Sequence, residues 1–473
     1  MRVTISATPE NRKTILDLAE EQGISLPCNC HGANTCGGRQ YSFPCDMIPT
    51  HDITVSISNR QHIYSLSLEA PEDKSTHPDC LLIDLGTTTV AMVFFHSKTK
   101  TVFHSSTFPN PQRIHGGDVI SRIKYDVEFH HDYTLKTQIC NEISVQYNRV
   151  LTTYPGIRIK RCLIGGNTTM IHLLRGFPLD GMAKHPFTPY SQGSLHITYD
   201  KTEIMILPWL SAFIGGDITS GLLSLAFDQR TDTCLLADLG TNGELALLHE
   251  GKLYTASAAA GPSFEGGGLS CGSAAVPGAI SDYEWHPAAP KIQTIGNKLP
   301  TGICGSGAVS ILSQLITRKY LDSSGGLADN FPKNGLTICR TPSSQPILFT
   351  ADDVRQMQLA VAAIGAGIDT LCQQAGISAD QISFLYLAGG FGHHISIEKA
   401  SVTGLFSDIA PSRIVSVGNI CLQGLADLTV LSCPPFERIK RIQNMCEELV
   451  LADHSYFQQQ FIRHMTYGQP FTR

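Results

Sequence analysis

The apolar positions of this chain follow two periods. RVTISA (2–7) alternates apolar and polar residues one by one, as a strand with one buried face does. NRKTILDLAEEQG (11–23) then sets Ile15 and Leu18 three apart ahead of Gly23, the spacing and stop of a short helix. HDITVSIS (51–58) returns to the strand period, and the polar, proline-bearing EAPEDKSTHPD (69–79) predicts a linker. Beyond it a short apolar run ends in Asp-Leu-Gly-Thr twice. CLLIDLGT at 80–87 recurs as CLLADLGT at 234–241 with one mismatch in eight, and each copy leads into further strand-like segments, VAMVFFHSK and ELALLHEGKLYTAS. Two buried strands alike by chance are a poor account of that identity, so the pattern predicts duplication. Each half then forms a sheet with helices, and the paired loops face each other across a cleft. DVRQMQLAVAAIGAGIDTLCQQAG (353–376) predicts a long helix stopped at Gly376, and 436–465 predicts an amphipathic helical tail with a solvated basic face.

At 473 residues the chain is too long for one core, so about two to four domains are expected. The boundaries predicted are 1–70, a linker at 71–78, and 79–473 with lobes at 79–230 and 231–434 and the tail at 435–473. A hydrophobic content of 42%, a charged content of 16% and a net charge of −6 describe a globular protein, and the mild acidity argues against nucleic acid or an anionic membrane as partner. The first residues carry no apolar run behind a basic end, and no stretch approaches the ~18 apolar residues of a membrane span. A cytoplasmic location is expected, where stable disulfides are rare. Of 15 cysteines most are scattered singly in apolar runs, but Cys28, Cys30, Cys36 and Cys45 crowd into LPCNCHGANTCGGRQYSFPC (26–45).

The duplicated loops suit a polyphosphate. In DLGTTT, Asp84 ends a strand, Gly86 permits a tight turn, and Thr87, Thr88 and Thr89 supply hydroxyls and successive N–H groups for an anion. DLGTNGE repeats the arrangement with Asp238, Gly240, Thr241 and Asn242. Asp84 and Asp238 are placed to hold Mg²⁺, mostly through water. YLAGGFGHH (386–394) runs an apolar strand into Gly389, Gly390 and Phe391, where backbone can approach a flat ligand. No G-x-x-x-x-G-K-S/T loop occurs. GLSCG (268–272) fits the nucleophile-elbow pattern around Ser270 but lacks the preceding apolar strand, so it reads as a glycine-rich loop.

Together these three elements resemble the nucleotide-binding motifs of the superfamily of acetate and sugar kinases, heat-shock chaperones and actin. More specifically, GNTTMIHLLRGFPLDGMAKHPFTP, GGDITSG, AAGPSFEGGGLSCG, GICGSG and GNICLQG look like the signature blocks of ATP-dependent reductive activators of corrinoid proteins, over 79–473. The resemblance implies an α/β fold: a duplicated actin/sugar-kinase-like ATPase of ribonuclease H-like lobes after a small β-grasp ferredoxin-like domain. It implies reduction of a corrinoid protein's cobalt from Co(II) to Co(I), with ATP and Mg²⁺ as cofactors and the corrinoid protein and an electron-donor protein as partners. Catalytic roles fall to Asp84 and Asp238, phosphate binding to the two loops, and the border of the adenosine to Gly389, Gly390 and Phe391. Self-association into a homodimer is left open.

In that family the N-terminal domain carries a 2Fe–2S cluster on a pattern resembling C-x5-C-x2-C and a later Cys. Cys30 and Cys36 fit, but Arg39 stands at the third position and the segment before Cys45 is short. Three readings stay open: Cys28 supplies the fourth thiolate and a cluster forms, the domain is a ferredoxin without a cluster, or the four thiols hold Zn²⁺. The family's separate middle domain is expected to be missing. A Lys expected in the long helix is replaced by Val361. The alternatives for function are a small-molecule kinase, with Asp217 of GGDITSG as base, and an ATP-switched scaffold or chaperone.

Overall fold

A computed structural model describes residues 2–5, 53–56, 77–191, 195–322, 324–342, 344–429 and 436–466. The chain divides into two compact units, Met1–Tyr64 and Ser65–Arg473. In the first, β1 (Arg2–Ile5) pairs antiparallel with β2 (Ile53–Ser56), matching both strands read from the alternation. The predicted helix at 11–23 lies outside the described residues, as do Cys28, Cys30, Cys36, Arg39, Cys45 and residues 71–76 of the linker.

The second unit contains the duplication. Strands β3 (Cys80–Leu85), β4 (Thr89–His96), β5 (Thr101–Pro109), β6 (Arg161–Gly166), β7 (Leu195–Tyr199) and β8 (Thr202–Ile206) form one six-stranded sheet, ordered β5-β4-β3-β6-β8-β7. The second sheet begins with β9 (Cys234–Leu239), β10 (Gly243–His249) and β11 (Lys252–Ala258). A three-stranded insertion follows, β12 (Ala279–Glu284), β13 (Lys291–Thr294) and β14 (Gly302–Ile303), then a hairpin, β15 (Leu336–Arg340) and β16 (Pro346–Phe349). β17 (Phe384–Ala388), β18 (Ile414–Gly418) and β19 (Cys446–Glu448) complete the second sheet in the order β18-β17-β9-β10-β11-β19. The series β5-β4-β3-β6-β8 and β11-β10-β9-β17-β18 are the same motif: an antiparallel three-strand meander, then two strands added in parallel. Both central strands are buried at every residue except the aspartate, as a strand covered on two faces must be.

The helix Ala351–Ala375 forms as its periodicity predicts. Thr350 and Asp353 cap it reciprocally, and Gly376 ends it in the left-handed conformation at φ 72°. Val361 is fully buried in the core beneath the second sheet, so no polar contact is made from that position. Ser270 is also structural: its N–H donates to Asp353 Oδ1 at 2.6 Å, and its hydroxyl meets Thr350.

The tail differs from the expected helical run. Helices Phe436–Met445 and Ser455–His464 are separated by β19, which joins the second sheet parallel to β11. Leu449 and Leu451 are buried there, and the Leu449 N–H donates to the Thr255 carbonyl. An open sheet edge drew in residues whose local pattern favours helix.

The lobes meet through two helices, Gly216–Ser224 after β8 and Ile420–Thr429 after β18. A Cβ on Gly424 would lie 2.1 Å from the Ser220 carbonyl oxygen, and one on Gly221 would lie 2.8 Å from Ile420 Cγ2. The Ser220 hydroxyl donates to the Cys421 carbonyl at 2.8 Å. Helix propensity alone would make Gly424→Ala stabilising by about 1 kcal/mol. This contact reverses the sign, and we expect a loss of about 1–3 kcal/mol in urea or thermal melts, the cost of overpacking. Gly117→Ala, with nothing within 4 Å, should stay within about 0.5 kcal/mol of wild type. A stabilised Gly424→Ala protein would show that the helices do not cross this closely.

Candidate active site

Asp84 and Asp238 occupy matching places, each next to last in the central strand of its sheet. Asp84 is in register with Gly165 of the parallel strand β6, and Asp238 with Ala388 of the parallel strand β17. Both lie at the carboxyl ends of parallel strands, where open α/β sheets take their ligands. The duplicate loops follow directly.

In the first loop a Cβ on Gly86 would come within 2.5 Å of the Thr89 carbonyl oxygen, so only glycine fits. Asn110 donates from its side chain to the Gly86 carbonyl and from its backbone to the Thr88 carbonyl, both at 2.9 Å. Arg122 Nη2 donates to the Thr87 carbonyl at 2.6 Å. Three consecutive carbonyls are thus fixed from within the first lobe. Thr89 is exposed at the start of β4. In the second loop the Gly240 N–H donates to the Asn242 carbonyl at 2.9 Å, closing the turn.

Glu265, at the end of a 3₁₀ turn (Pro262–Glu265), joins the loops. Its Oε1 accepts from the Thr241 N–H and hydroxyl, each at 3.1 Å, and its Oε2 accepts from the Thr88 hydroxyl at 2.8 Å. The third predicted element divides. A Cβ on Gly389 (φ 84°) would lie 2.6 Å from Asp238 Oδ1, so this glycine lets the strand end close on the aspartate. Gly390 is exposed with open space before it. Phe391 turns inward, 8% exposed, with its ring 4.7 Å from that of Phe264. The ring belongs to the core of the second lobe.

The interlobe helices bring two more groups. Asn419, capping Ile420–Thr429, accepts from the Leu422 N–H at 2.8 Å and donates through Nδ2 to Asp84 Oδ2 at 2.6 Å. Asp217 stands in the first turn of Gly216–Ser224. Its carboxyl is pushed up to about 8 by burial and then by Asp84 and Asp238. Asp238 is pushed up to about 7 by burial, then by Asp84 and Glu265. Burial also raises Asp84, against the lowering effect of hydrogen bonds from Asn419 and Cys421. Glu244, the second residue of β10, is raised well above the usual range by burial and by Asp217 and Asp238. Buried carboxyls raised in this way by neighbouring carboxyls suit a site that takes a divalent cation. Among the described residues no three His, Cys, Asp or Glu side chains converge on one ion directly. Asp84, Asp217 and Asp238 offer oxygen donors of the kind that Mg²⁺ takes, often through water.

Sequence reading named Asp84, Asp217, Asp238 and the loop residues, and the fold gathers them. It missed Glu265, Asn419, Glu244 and Arg122. The first three lie inside the quoted blocks PSFEGGG, GNICLQG and DLGTNGE, where the glycines drew attention from the polar residue beside them. Arg122 gave no signal. It is fully buried, and the protein groups it bonds, Thr87, Gly116, Gln112 and Met170, are neutral.

A family model described as the C-terminal domain of RACo, the ASKHA domain, matches residues 232–471. The chain belongs to the RACo family. A second model, the RACo middle region, matches 80–230, so the expected loss of a middle domain does not hold: that region is the first lobe. This RACo-family chain is 28% identical over 427 residues to the corrinoid activation enzyme RamQ of Eubacterium limosum, covering 82% of this chain and 70% of the relative. It is 31% identical over 244 residues to the [Co(II) methylated amine-specific corrinoid protein] reductase of Methanosarcina barkeri, covering 46% of this chain and 43% of that one. Among solved structures, a reductive activator for corrinoid, iron-sulfur protein superposes with a TM-score of 0.75 at 28% identity, covering 84% of this chain and 67% of that one. No described helix is long and apolar enough to cross a membrane.

The raised carboxyls set a pH dependence. A group whose folded pKa lies above its unfolded value contributes stability that is fully present below the unfolded pKa and lost as pH rises through the folded one. For Asp217 that window runs from the ordinary 3.8 to about 8. Without divalent cation, melting temperature should fall across it, and Asp217→Asn should flatten the fall. An unchanged slope in the variant would remove Asp217 from the coupled group.

Proposed function

We propose that this chain drives the one-electron reduction of a corrinoid protein's cobalt from Co(II) to Co(I) and couples it to ATP. The observation that carries the reading is the pair Asp84 and Asp238, each at a strand end followed by a threonine-bearing loop and brought together from two lobes. The names borne by family relatives support the substrate: an activation enzyme and a reductase of corrinoid proteins. Gly86, Thr87, Thr88, Thr89, Gly240, Thr241 and Asn242 are the candidates for the phosphates. Asp84 and Asp238 would organise Mg²⁺ and its waters, and Gly389, Gly390 and Phe391 would border the adenosine.

The Co(II)/Co(I) step lies at very low potential, and each deficit of about 59 mV costs a factor of ten for one electron. Nucleotide can offset this only by binding two conformations with different affinity. The two lobes, joined at a helix crossing and bridged by Glu265, are a suitable two-state element. The N-terminal unit would take the electron from a donor protein at Cys28, Cys30, Cys36 and Cys45, four thiolates being the usual set for a 2Fe–2S cluster. The cluster, when bound, supplies a one-electron carrier. The protein is expected in the cytoplasm.

Asp84→Ala and Asp238→Ala should each lower ATP hydrolysis on the order of 100-fold, read as phosphate release with and without a corrinoid protein. Full activity in both would remove these carboxylates from the mechanism. Co(I) formation, followed by its absorbance, should require ATP and a reductant. Phosphate transfer to a metabolite without cobalt reduction would favour a kinase instead. Iron and acid-labile sulfide should be present in anaerobically reconstituted wild type and lost in Cys28→Ser. Their absence from wild type would leave the reaction without an internal electron carrier.

A further inference from the structure

The donors that suit a phosphate already serve a carboxylate. Glu265 accepts from the Thr241 N–H and hydroxyl in the second lobe and from the Thr88 hydroxyl in the first. These are groups of the very loops assigned above to the nucleotide. A phosphate oxygen and a Glu265 carboxylate oxygen are both anionic acceptors, and one donor hydrogen cannot fully serve both. The glutamate also lies close enough to Asp238 and Glu244 to raise both. An arriving phosphate therefore meets a negative group on its own donors, inside a site already rich in carboxylates.

We propose that Glu265 is a displaceable latch: it bridges the two phosphate loops across the lobes, and the nucleotide's phosphate takes its place. The idea rests on the ATP reading and deepens it, because it names where binding is exchanged for an interlobe contact. Thr88 is fixed within its lobe through the Asn110 bond to its carbonyl, and Thr241 lies in the turn that links β9 to β10. Breaking the Glu265 bridge frees one loop from the other without unfolding either. A latch of this kind gives the nucleotide a differential hold on two lobe arrangements, which is what any ligand-driven conformational change requires.

Glu265→Gln removes the charge and keeps the shape, and Glu265→Ala removes the bridge. ADP binding should be measured by calorimetry on wild type and both variants, first in EDTA and then with Mg²⁺. In EDTA we expect both variants to bind ADP about tenfold more tightly than wild type, the worth of one or two net hydrogen bonds. Melting temperatures supply a second readout. Without nucleotide the variants should melt below wild type, and at saturating ADP that difference should close, because the bridge is then broken in all three proteins. Unchanged or weaker ADP binding in EDTA would overturn the latch, as would a melting deficit that persists at saturating ADP. Weaker binding confined to Mg²⁺ would make Glu265 a partner of the metal's waters and also overturn it. No ADP binding by any of the three proteins would overturn the nucleotide reading and the latch with it.

Discussion

The crossing of the helices Gly216–Ser224 and Ile420–Thr429 is the constraint on which the site depends. Gly221 and Gly424 remove the side chains that would hold the backbones apart, and the Ser220 bond to the Cys421 carbonyl fixes the register. With that crossing in place, the first turns of both helices reach the strand ends. Asp217 arrives from one lobe, and Asn419 arrives from the other to bond Asp84. A Cβ on Gly165 would lie 2.6 Å from Cys421 Sγ, so even the strand beside Asp84 is kept bare to admit the helix from the opposite lobe. The N-terminal half of Ile420–Thr429 thus packs on Ser220 and Gly221, at and past the middle of the other lobe's helix.

The cost of that arrangement is concentrated negative charge. Burial raises the proton affinity of Asp84, Asp217, Asp238 and Glu244; Asp84 raises Asp217 and Asp238 further, and Asp217 and Asp238 raise Glu244. The protein answers only part of this itself. Asn419 and Cys421 hydrogen-bond Asp84, and the Thr88 and Thr241 groups hold Glu265. The remainder suits the cation and phosphate chain proposed above for this site. Arg122, buried among neutral partners against the Thr87 carbonyl, adds a fixed positive charge close to the first loop.

Much of the fold was legible in the sequence because its signal is local. A run such as CLLIDL or CLLADL, apolar at every position but one, is what a central strand covered on both faces demands, and the single polar residue marks the strand's carboxyl end. The long helix could be read from its period and its Gly376 stop, and the N-terminal strands from their alternation. The repeat itself predicted two matching sheets, and five of the six strands in each follow the same order. Pattern failed where an open edge mattered more than propensity: β19 is built from Cys446–Glu448 inside an otherwise helical tail, because β11 offered unpaired backbone groups.

The sequence by itself determined the duplicated loops, their aspartates and their glycines, since each depends on backbone conformation within a few residues. Tertiary structure alone decided which polar groups meet. Glu265 stands 177 residues from Thr88 and Asn419 stands 335 from Asp84, separations across which no local pattern can carry a side-chain direction. The same holds for Phe391, which follows the expected glycines but turns onto Phe264, because the apolar core offers an aromatic ring more than an open cleft does. Local periodicity fixes where a strand ends, whereas packing between lobes decides what stands opposite that end.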